Sequence, residues 1–297
     1  MSALDRLRGL QLVMVTGKGG VGKSVVSAAL GSLLAGEGRS VLLLEVDPRE
    51  NLHRLFGEPP SGGEAIRVDH RLHLQHLEPR RILDDLVAEK LKVGPLVRRV
   101  LDSPIHRHFT EGAPGLKEAA VFGRVLRLVE GHGPRGVPRP DLVVLDAPAT
   151  GHGVSWLAAP QLVSDVIRSG PIGQMAADIS RFLGDRSRFG TVVVASAEEM
   201  PVQESVELLG ELEARFQRAP ELVVVNGLYP PHPDREPTGE VERLWRDRRR
   251  INEHQLARLR EHWQGPLVEL PLLPVDPGPD LVRALRARLR VGLGGGS

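Results

Sequence analysis

Apolar residues in this sequence of 297 residues form short, nearly continuous runs, separated by longer stretches with helical periodicity. Nearly continuous apolar runs are typical of strands in a parallel sheet that helices cover on both faces. The pattern therefore predicts an α/β fold with a doubly wound, mostly parallel sheet. The predicted strands are residues 10–15, 41–46, 142–145, 191–195, 222–225 and 267–270.

Two longer helical stretches fall outside this alternation of strands and helices. Residues 79–131 and 153–186 have helical patterns, which are interrupted at "KVGPL", "GAPGL" and "SGPIG". We expect them to cluster into an inserted helical subdomain beside the sheet. Residues 1–291 would then form a single domain, followed by a flexible tail at the glycine-rich residues 292–297.

Two segments towards the C-terminus also have helical patterns. The highly charged "EVERLWRDRRRINEHQLARLREHW" predicts a solvated helix with Leu and Trp on one side. The last helix, "DLVRALRARLRV", carries an apolar face surrounded by arginines, which is a pattern of helices that lie on membrane surfaces. A terminal helix that docks on the sheet has the same pattern, and we favour docking because single helices of this kind usually cover a core. The apolar face consists of Leu281, Val282, Leu285 and Leu289.

Composition and charge narrow the functional classes. The sequence contains no Cys, so disulfides, thiolate metal sites and cysteine nucleophiles are excluded. A net charge of +1 provides no basic field for nucleic acid, which we do not expect as a partner. The N-terminus lacks the pattern of a signal peptide, and no apolar stretch has the length of a transmembrane helix. We expect a cytoplasmic protein, either free or peripheral to a membrane.

The segment "GKGGVGKS" follows the first predicted strand and fits the phosphate-loop pattern G-x-x-x-x-G-K-[ST]. Its glycines allow successive backbone N–H groups to point at phosphates, and the following helix adds the positive end of its dipole. Lys23 is predicted to contact the β- and γ-phosphates of ATP, and the Ser24 hydroxyl to bind Mg²⁺. The predicted nucleotide contacts are Gly17, Gly19, Gly20, Val21, Gly22, Lys23, Ser24 and Val25.

A second lysine, Lys18, lies in the same loop although the pattern does not require it. Because Lys23 already serves the phosphates of its own loop, Lys18 is most useful if it reaches the nucleotide of a facing subunit. It would neutralise charge on the transferred phosphoryl group, as an arginine finger does in trans. The alternative is a solvated loop lysine. The first interpretation makes a dimer part of the mechanism.

Two aspartates end separate predicted strands. In "LLLEVDPREN" the second strand ends at Asp47, where a carboxylate can orient the attacking water. In "LVVLDAPATGHG" another strand ends at Asp146, placed to hold Mg²⁺ through water. Each alone fits a helix cap or a turn. Their shared position after apolar strands favours the catalytic interpretation, with Lys18, Lys23 and Asp47 acting on ATP.

These motifs resemble those of the ArsA-type ATPases among the P-loop NTPases with a deviant Walker A loop, a group that includes ParA, MinD and the nitrogenase iron protein. "KGGVGKS" is similar to their loop with its signature lysine, and "DAPATGHG" to the switch II of ArsA and of its relative that targets tail-anchored membrane proteins. "HLEPRRIL", "APGLKEA" and "ASAEEMPVQESVELLGEL" also have counterparts, so the likeness extends from residue 10 to about residue 289. It implies adenine recognition by Asn226 and by the loop residues Pro271, Leu272, Leu273 and Asp276.

The resemblance implies a dimeric, ATP-hydrolysing nucleotide switch that opens and closes on a client, such as a hydrophobic or membrane-protein segment. The dimer would be a homodimer or a heterodimer with a paralogue. Arsenite pumps bind the metalloid through cysteines, and the eukaryotic targeting factor pins its dimer with a zinc-binding C-x-x-C pair; both are absent here. An alternative function is a positioning or scaffold ATPase of the ParA or MinD type, which acts on a membrane surface or a polymer.

Overall fold

The computed structural model describes residues 2–46, 50–91, 115–133, 139–148, 153–167, 169–233 and 235–294. These residues form a central sheet with helices on both faces. The strands are β1 Leu12–Thr16, β2 Val41–Glu45, β3 Ile66–Asp69, β4 Leu72–His76, β5 Leu142–Asp146, β6 Phe189–Ser196, β7 Leu222–Leu228 and β8 Leu267–Pro271. The helices are α1 Ala3–Gly9, α2 Lys23–Gly36, α3 Asn51–Phe56, α4 Pro79–Leu91, α5 Leu116–Val129, α6 Gly153–Val166, α7 Gly170–Gly184, α8 Glu199–Phe216, α9 Glu240–His262 and α10 Pro279–Gly292.

The sheet has the order β3-β4-β2-β5-β1-β6-β7-β8. Every neighbouring pair is parallel except β3 and β4, which pair antiparallel at one edge. β1 lies between β5 and β6, so the chain leaves β1 towards one half of the sheet and later returns to build the other half. Ligands of open α/β sheets bind at such a switch point, at the carboxyl ends of the strands. The end of β1 is therefore the expected position of a site.

Two apolar cores hold the layers together. Alternate side chains of each central strand point to opposite faces, so that Met14 belongs to one core and Val13 to the other. Helices α1, α2, α3 and α10 cover the face of Val13. Helices α4 to α9 cover the face of Met14. The prediction of a doubly wound α/β sheet with helices on both faces is confirmed.

All six strands predicted from apolar runs are present, with ends that differ by one to a few residues. Strands β3 and β4 were not among the six. The "IRVD" sequence of β3 is only half-buried, and apolar and polar residues alternate in the "LHLQH" of β4, so neither has a continuous apolar run. Helices α4, α5, α6 and α7 occupy the described parts of the two segments predicted as a helical subdomain. Their buried residues share a core with the sheet.

The two C-terminal helices differ in burial. In α9 most side chains face solvent, and Leu256 and Leu259 are buried on one side, as predicted; Leu244, however, is exposed. In α10 the predicted apolar face packs onto α2, β8 and α3, and Val282, Leu285 and Leu289 are all buried. The last helix is therefore docked on the sheet layer.

Candidate phosphate-binding site

The loop between β1 and α2 is shaped by glycines for which no other residue fits. Gly17 has a φ of +145°, and a Cβ there would lie 2.1 Å from the carbonyl oxygen of Val194 in β6. Gly22 caps α2 with a φ of +88°, and a Cβ there would lie 2.2 Å from Nδ2 of Asn226. Since both positions are strained and crowded for an L side chain, the glycines allow the loop to turn tightly between two strands and the helix.

Lys23 begins α2 and is buried. Its Nζ donates a hydrogen bond to the carbonyl oxygen of Lys18 at 2.8 Å, so its side chain folds back over the phosphate loop. A lysine held across its own loop presents its charge to any anion that the loop amides bind. Ser24 follows it at the first turn of α2, where the N-terminal end of the helix dipole also favours anions.

Asp146 ends β5, in register with Val15 of β1 and Glu45 of β2. Its carboxylate is buried and accepts a hydrogen bond from Oγ of Ser27 at 2.9 Å. Ser27 lies one turn after Lys23 on α2, so this bond joins the strand end to the helix that carries the loop. The sequence did not point to Ser27, because a serine inside an apolar helix has no distinctive pattern.

A cleft of about 340 Å³ connects these groups. One wall is the loop and the start of α2, and the end of β5 forms another. The third wall is α3, whose residues at i, i+3 and i+4 face the cleft, although no motif had predicted them. The lining comprises Gly20, Gly22, Lys23, Ser24, Val25, Asn51, Arg54, Leu55, Asp146, Ala147 and Pro277.

Helix α3 is fixed by a buried carboxylate. Glu45, fully buried in β2, accepts the backbone N–H of Leu52 with both carboxylate oxygens, at 3.1 and 3.2 Å. Leu52 and Leu55 are buried in the core beside α2. The sequence does contain a sign of this role, because an acidic residue ends the apolar run "VLLLE". A carboxylate buried in such a strand needs hydrogen-bond donors, and here the α3 backbone provides one.

A histidine–glutamate cluster lies on the far side of α3. Nδ1 of His53 is 3.4 Å from Oε2 of Glu50, and Nδ1 of His76 is 3.7 Å from Oε1 of the same carboxylate. Burial lowers the pKa of His53, while the Glu50 charge opposes that effect. Glu50 has a φ of 45°, and its carboxylate also accepts the N–H of Ser61 at 2.9 Å. These contacts connect the start of α3 to the end of β4 and to the loop before β3.

The second loop lysine has a partner within its own chain. Nζ of Lys18 lies 2.8 Å from Oε1 of Glu204 in α8, and the two side chains are 37% and 23% exposed. This partner comes from the segment "AEEMPVQESVELL", which follows β6. Lys18 is therefore neither free in solvent nor directed at the cleft in this structure.

The predicted adenine contacts divide into two groups. Nδ2 of Asn226, in β7, donates to the carbonyl oxygen of Val21 at 3.0 Å, which holds the phosphate loop from its other side. Leu272 donates its N–H to the carbonyl of Leu228 at 2.7 Å, immediately after β8. The cleft brings together the loop, Lys23, Ser24, Val25 and Asp146, but its lining does not include Pro271, Leu272, Leu273 or Asp276. Asp47 lies outside the described residues.

A glycine-rich loop at the switch point of a parallel sheet, with a lysine, a serine and a strand-end aspartate around one cleft, defines a P-loop nucleotide-binding protein. The model of the anion-transporting ATPase (ArsA) family matches residues 10–182. This chain belongs to that family.

Named relatives agree with this placement. The ATPase BagA of Mycobacterium tuberculosis is 32% identical over 243 residues, which cover 77% of this chain and 68% of the relative. The ATPase GET3 of Podospora anserina is 30% identical over 175 residues, covering 56% of this chain and 48% of the relative. The ATPase GET3 of Malassezia globosa is 28% identical over 162 residues, covering 54% and 45%. The chain is an ATPase of the ArsA type, with ATP as its substrate.

Proposed function

We propose that this ATPase is a dimeric nucleotide switch that opens and closes on a client as it binds and hydrolyses ATP. The observation that carries the proposal is the cleft in which the phosphate loop, Lys23, Ser24 and Asp146 meet beside α3. Charge-assisted hydrogen bonds from Lys23 and from the loop amides would bind the phosphates. Asp47, which follows β2, would orient the attacking water.

Mg²⁺ is part of the proposal, and the residues present fit it. Ser24 offers a hydroxyl, and Asp146 a carboxylate whose orientation the Ser27 hydrogen bond supports. Hydroxyl, carboxylate and phosphate oxygens with water are the ligands that Mg²⁺ prefers. The ion would neutralise charge on the phosphates, while Ser24 would bind it directly and Asp146 through water.

The dimer enters the proposal through Lys18. Its ion pair with Glu204 is partly exposed, so the two side chains can exchange partners at little cost in free energy. In the closed dimer, Lys18 would leave Glu204 and approach the nucleotide of the partner subunit. There it would compensate the negative charge of the transferred phosphoryl group.

The client would bind on the proposed helical subdomain, residues 79–131 and 153–186. Support comes from α6 and α7, where Leu162, Val166 and Ile172 are 49%, 83% and 39% exposed. Exposed apolar side chains on neighbouring helices suit a hydrophobic segment of a partner. None of the helices in the described part of the chain combines the length and apolar character that a membrane span requires.

The alternative, a positioning ATPase of the MinD type, receives less support from the last helix. The face that would insert into a membrane, with Val282, Leu285 and Leu289, is buried against α2 and β8. Its exposed side consists mainly of arginines, with Val291 near the C-terminal end. Membrane attachment through α10 would require this helix to leave its core.

Two variants test the nucleotide chemistry. Lys23→Ala removes a charge-assisted contact to phosphate, so we expect weaker ATP binding and loss of turnover. Asp47→Asn should keep normal ATP affinity and hydrolyse far more slowly, because the carboxylate acts on water in the transition state. Equilibrium titration with a fluorescent ATP analogue and steady-state phosphate release measure the two quantities. A Lys23→Ala protein with normal turnover would remove the phosphate-loop assignment, and parallel losses of affinity and rate in Asp47→Asn would remove its role.

A further inference from the structure

Arg54 lies on the wall of the phosphate cleft that α3 provides. The lining of the cleft includes Gly20, Gly22, Lys23 and Ser24 of the phosphate loop together with Arg54. The motifs do not account for this arginine, because "LLLEVDPREN" ends at Asn51, the first residue of α3. It lines the same cleft as Lys23 but belongs to a different element.

The backbone beneath Arg54 is held firmly. Leu52 and Leu55, on either side of it in α3, are buried in the core, at 0% and 6% exposure. The N–H of Leu52 is bound by both carboxylate oxygens of Glu45. Arg54 is the exposed residue between these anchors. A short helix with such anchors keeps the Cα of Arg54 beside the cleft, while the long side chain remains able to adjust to a ligand.

The basic side chains of the phosphate loop and of α3 differ in whether they have a hydrogen-bond or ion-pair partner. Lys18 is paired with Glu204, and Lys23 donates to the carbonyl of Lys18. Within the described part of the chain, no carboxylate lies within 4.0 Å of the Arg54 guanidinium. Many exposed arginines elsewhere on the surface do have such a partner, for example Arg283 with Asp280 at 2.8 Å.

From this arrangement we propose that Arg54 binds the phosphate chain of the nucleotide from within the same subunit. The guanidinium is planar and offers paired N–H donors, which match two oxygens of a phosphate group. Nucleoside triphosphates carry several negative charges. Apart from Arg54, the charged side chains that line the cleft in the described part of the chain are Lys23 and Asp146. Arg54 would therefore compensate charge that Lys23 and the proposed Mg²⁺ leave unbalanced.

An arginine supplied in cis would also give the chain a source of charge compensation that does not depend on a partner subunit. In nucleotide hydrolases such an arginine can come from the same chain or from a second protein. Here Lys18 would act across the dimer, whereas Arg54 would act in every monomer. This inference rests on the proposed function, because it requires nucleotide phosphates in the cleft.

The test compares two arginines that differ in position but not in chemistry. Arg54→Gln is measured against Arg243→Gln, where Arg243 is an exposed residue of α9, outside the cleft lining, with no described ion pair. The affinity of purified protein for a fluorescent ATP analogue is titrated at low and high salt, and circular dichroism checks that each variant is folded.

We expect Arg54→Gln to weaken nucleotide binding by about tenfold or more, as for the loss of a charge-assisted hydrogen bond. Arg54→Lys should recover only part of the affinity, because an ammonium cannot make the bidentate contact. Wild-type binding should also fall more steeply with salt than binding by Arg54→Gln. Arg243→Gln should bind like the wild type.

Equal affinity and equal salt dependence in Arg54→Gln and Arg243→Gln would overturn the inference. A parallel titration of Lys23→Ala shows whether such a result contradicts only the Arg54 contact or the proposed function as well. If Lys23→Ala loses binding and Arg54→Gln keeps it, the phosphate loop stands and the arginine contact is wrong. If the wild-type protein binds no nucleotide, both proposals are overturned together.

Discussion

At the scale of single residues, the two lysines of the phosphate loop have different surroundings and therefore different expected roles. Lys23 is buried and bound to its own loop, so its position depends on the local fold. Lys18 is partly exposed and paired with Glu204 of α8, far away in the sequence. Such an ion pair contributes roughly 0.2–1 kcal/mol. A modest competing interaction is therefore enough to release Lys18 from Glu204. In the proposed dimer, the phosphates of the partner subunit's nucleotide would attract Lys18 more strongly than Glu204 does.

The ion pair predicts that Glu204 restrains dimerisation. Glu204→Gln frees Lys18 in both subunits, so ATP-driven dimers should form at a protein concentration lower by up to about thirtyfold, which corresponds to the free energy of two exposed pairs of about 1 kcal/mol each. Sedimentation velocity with ATP measures the dimer dissociation constant, in an Asp47→Asn background that preserves the nucleotide.

The control is Glu211→Gln, an exposed carboxylate further along α8. It should leave dimerisation unchanged. If Glu204→Gln instead weakens the dimer, Glu204 contributes to the interface itself, and the restraint that we propose does not exist.

The residues that could be predicted from sequence are those whose chemistry is fixed by local spacing. Gly17, Gly22 and Lys23 belong to one short loop, and the strain at both glycines explains why the spacing is informative. Glu204 and Arg54 could not be predicted, since their positions beside Lys18 and the loop depend on how distant elements pack. Long-range contacts of this kind leave no periodic pattern in the sequence.

At the scale of elements, α10 serves as part of the core. Val282, Leu285 and Leu289 are buried against α2 and β8, so the arginines around them face solvent. The sequence pattern allowed two interpretations because an apolar face surrounded by arginines suits both a sheet and a membrane. The choice between the two depends on whether the rest of the fold leaves an apolar surface on α2 for this helix to cover. A sequence pattern confined to one helix does not contain that information.

Removing one side chain of that face should therefore destabilise the protein. Leu285→Ala is expected to lower the free energy of unfolding by about 2–5 kcal/mol, as for other leucines deleted from a packed core. Urea denaturation followed by circular dichroism provides the measurement. Val291→Ala, at a position 72% exposed on the same helix, is the matched control and should change stability by less than about 0.5 kcal/mol. Equal effects of the two variants would show that α10 is not docked in solution.

Strand prediction succeeded where both faces of a strand are buried. β1, β2 and β5 are buried at every position, which requires the continuous apolar runs seen in the sequence. β3 and β4 were missed because apolar and polar residues alternate in "IRVD" and "LHLQH", so that neither strand shows a continuous apolar run. The other edge strand, β8, was predicted because its sequence "LVELP" still carries Leu267, Val268 and Leu270.

At the scale of the whole molecule, the cleft and the proposed client surface lie in different layers of the fold. Helices α2 and α3, which line the cleft, belong to one core, whereas α4 to α7 belong to the other. The sheet separates them, so in the proposed switch a nucleotide signal would pass through strand ends. Asp146 ends β5, and residues 147–152 lead directly from it to α6. We therefore expect the chain that follows Asp146 to connect the nucleotide to α6 in the proposed switch.

The whole-molecule prediction concerns a site shared by two subunits. If Lys18 serves the nucleotide of the partner, Lys18→Ala and Asp47→Asn proteins should each be inactive as homodimers. A heterodimer of the two contains one complete site: the Lys18→Ala chain keeps its own Asp47 and receives Lys18 from the Asp47→Asn chain. Mixing the two proteins should therefore restore up to half of the wild-type phosphate release per heterodimer.

The same experiment distinguishes a lysine that acts within its own subunit. In that case neither site of the heterodimer is complete, because each chain lacks one of the two groups, and mixing restores no activity. Subunits with different affinity tags allow the heterodimer to be isolated before the assay, so that absence of assembly is not mistaken for absence of catalysis. Isolated heterodimers without activity would make Lys18 a residue of its own loop, and the proposed exchange of Glu204 for the partner's nucleotide would be wrong.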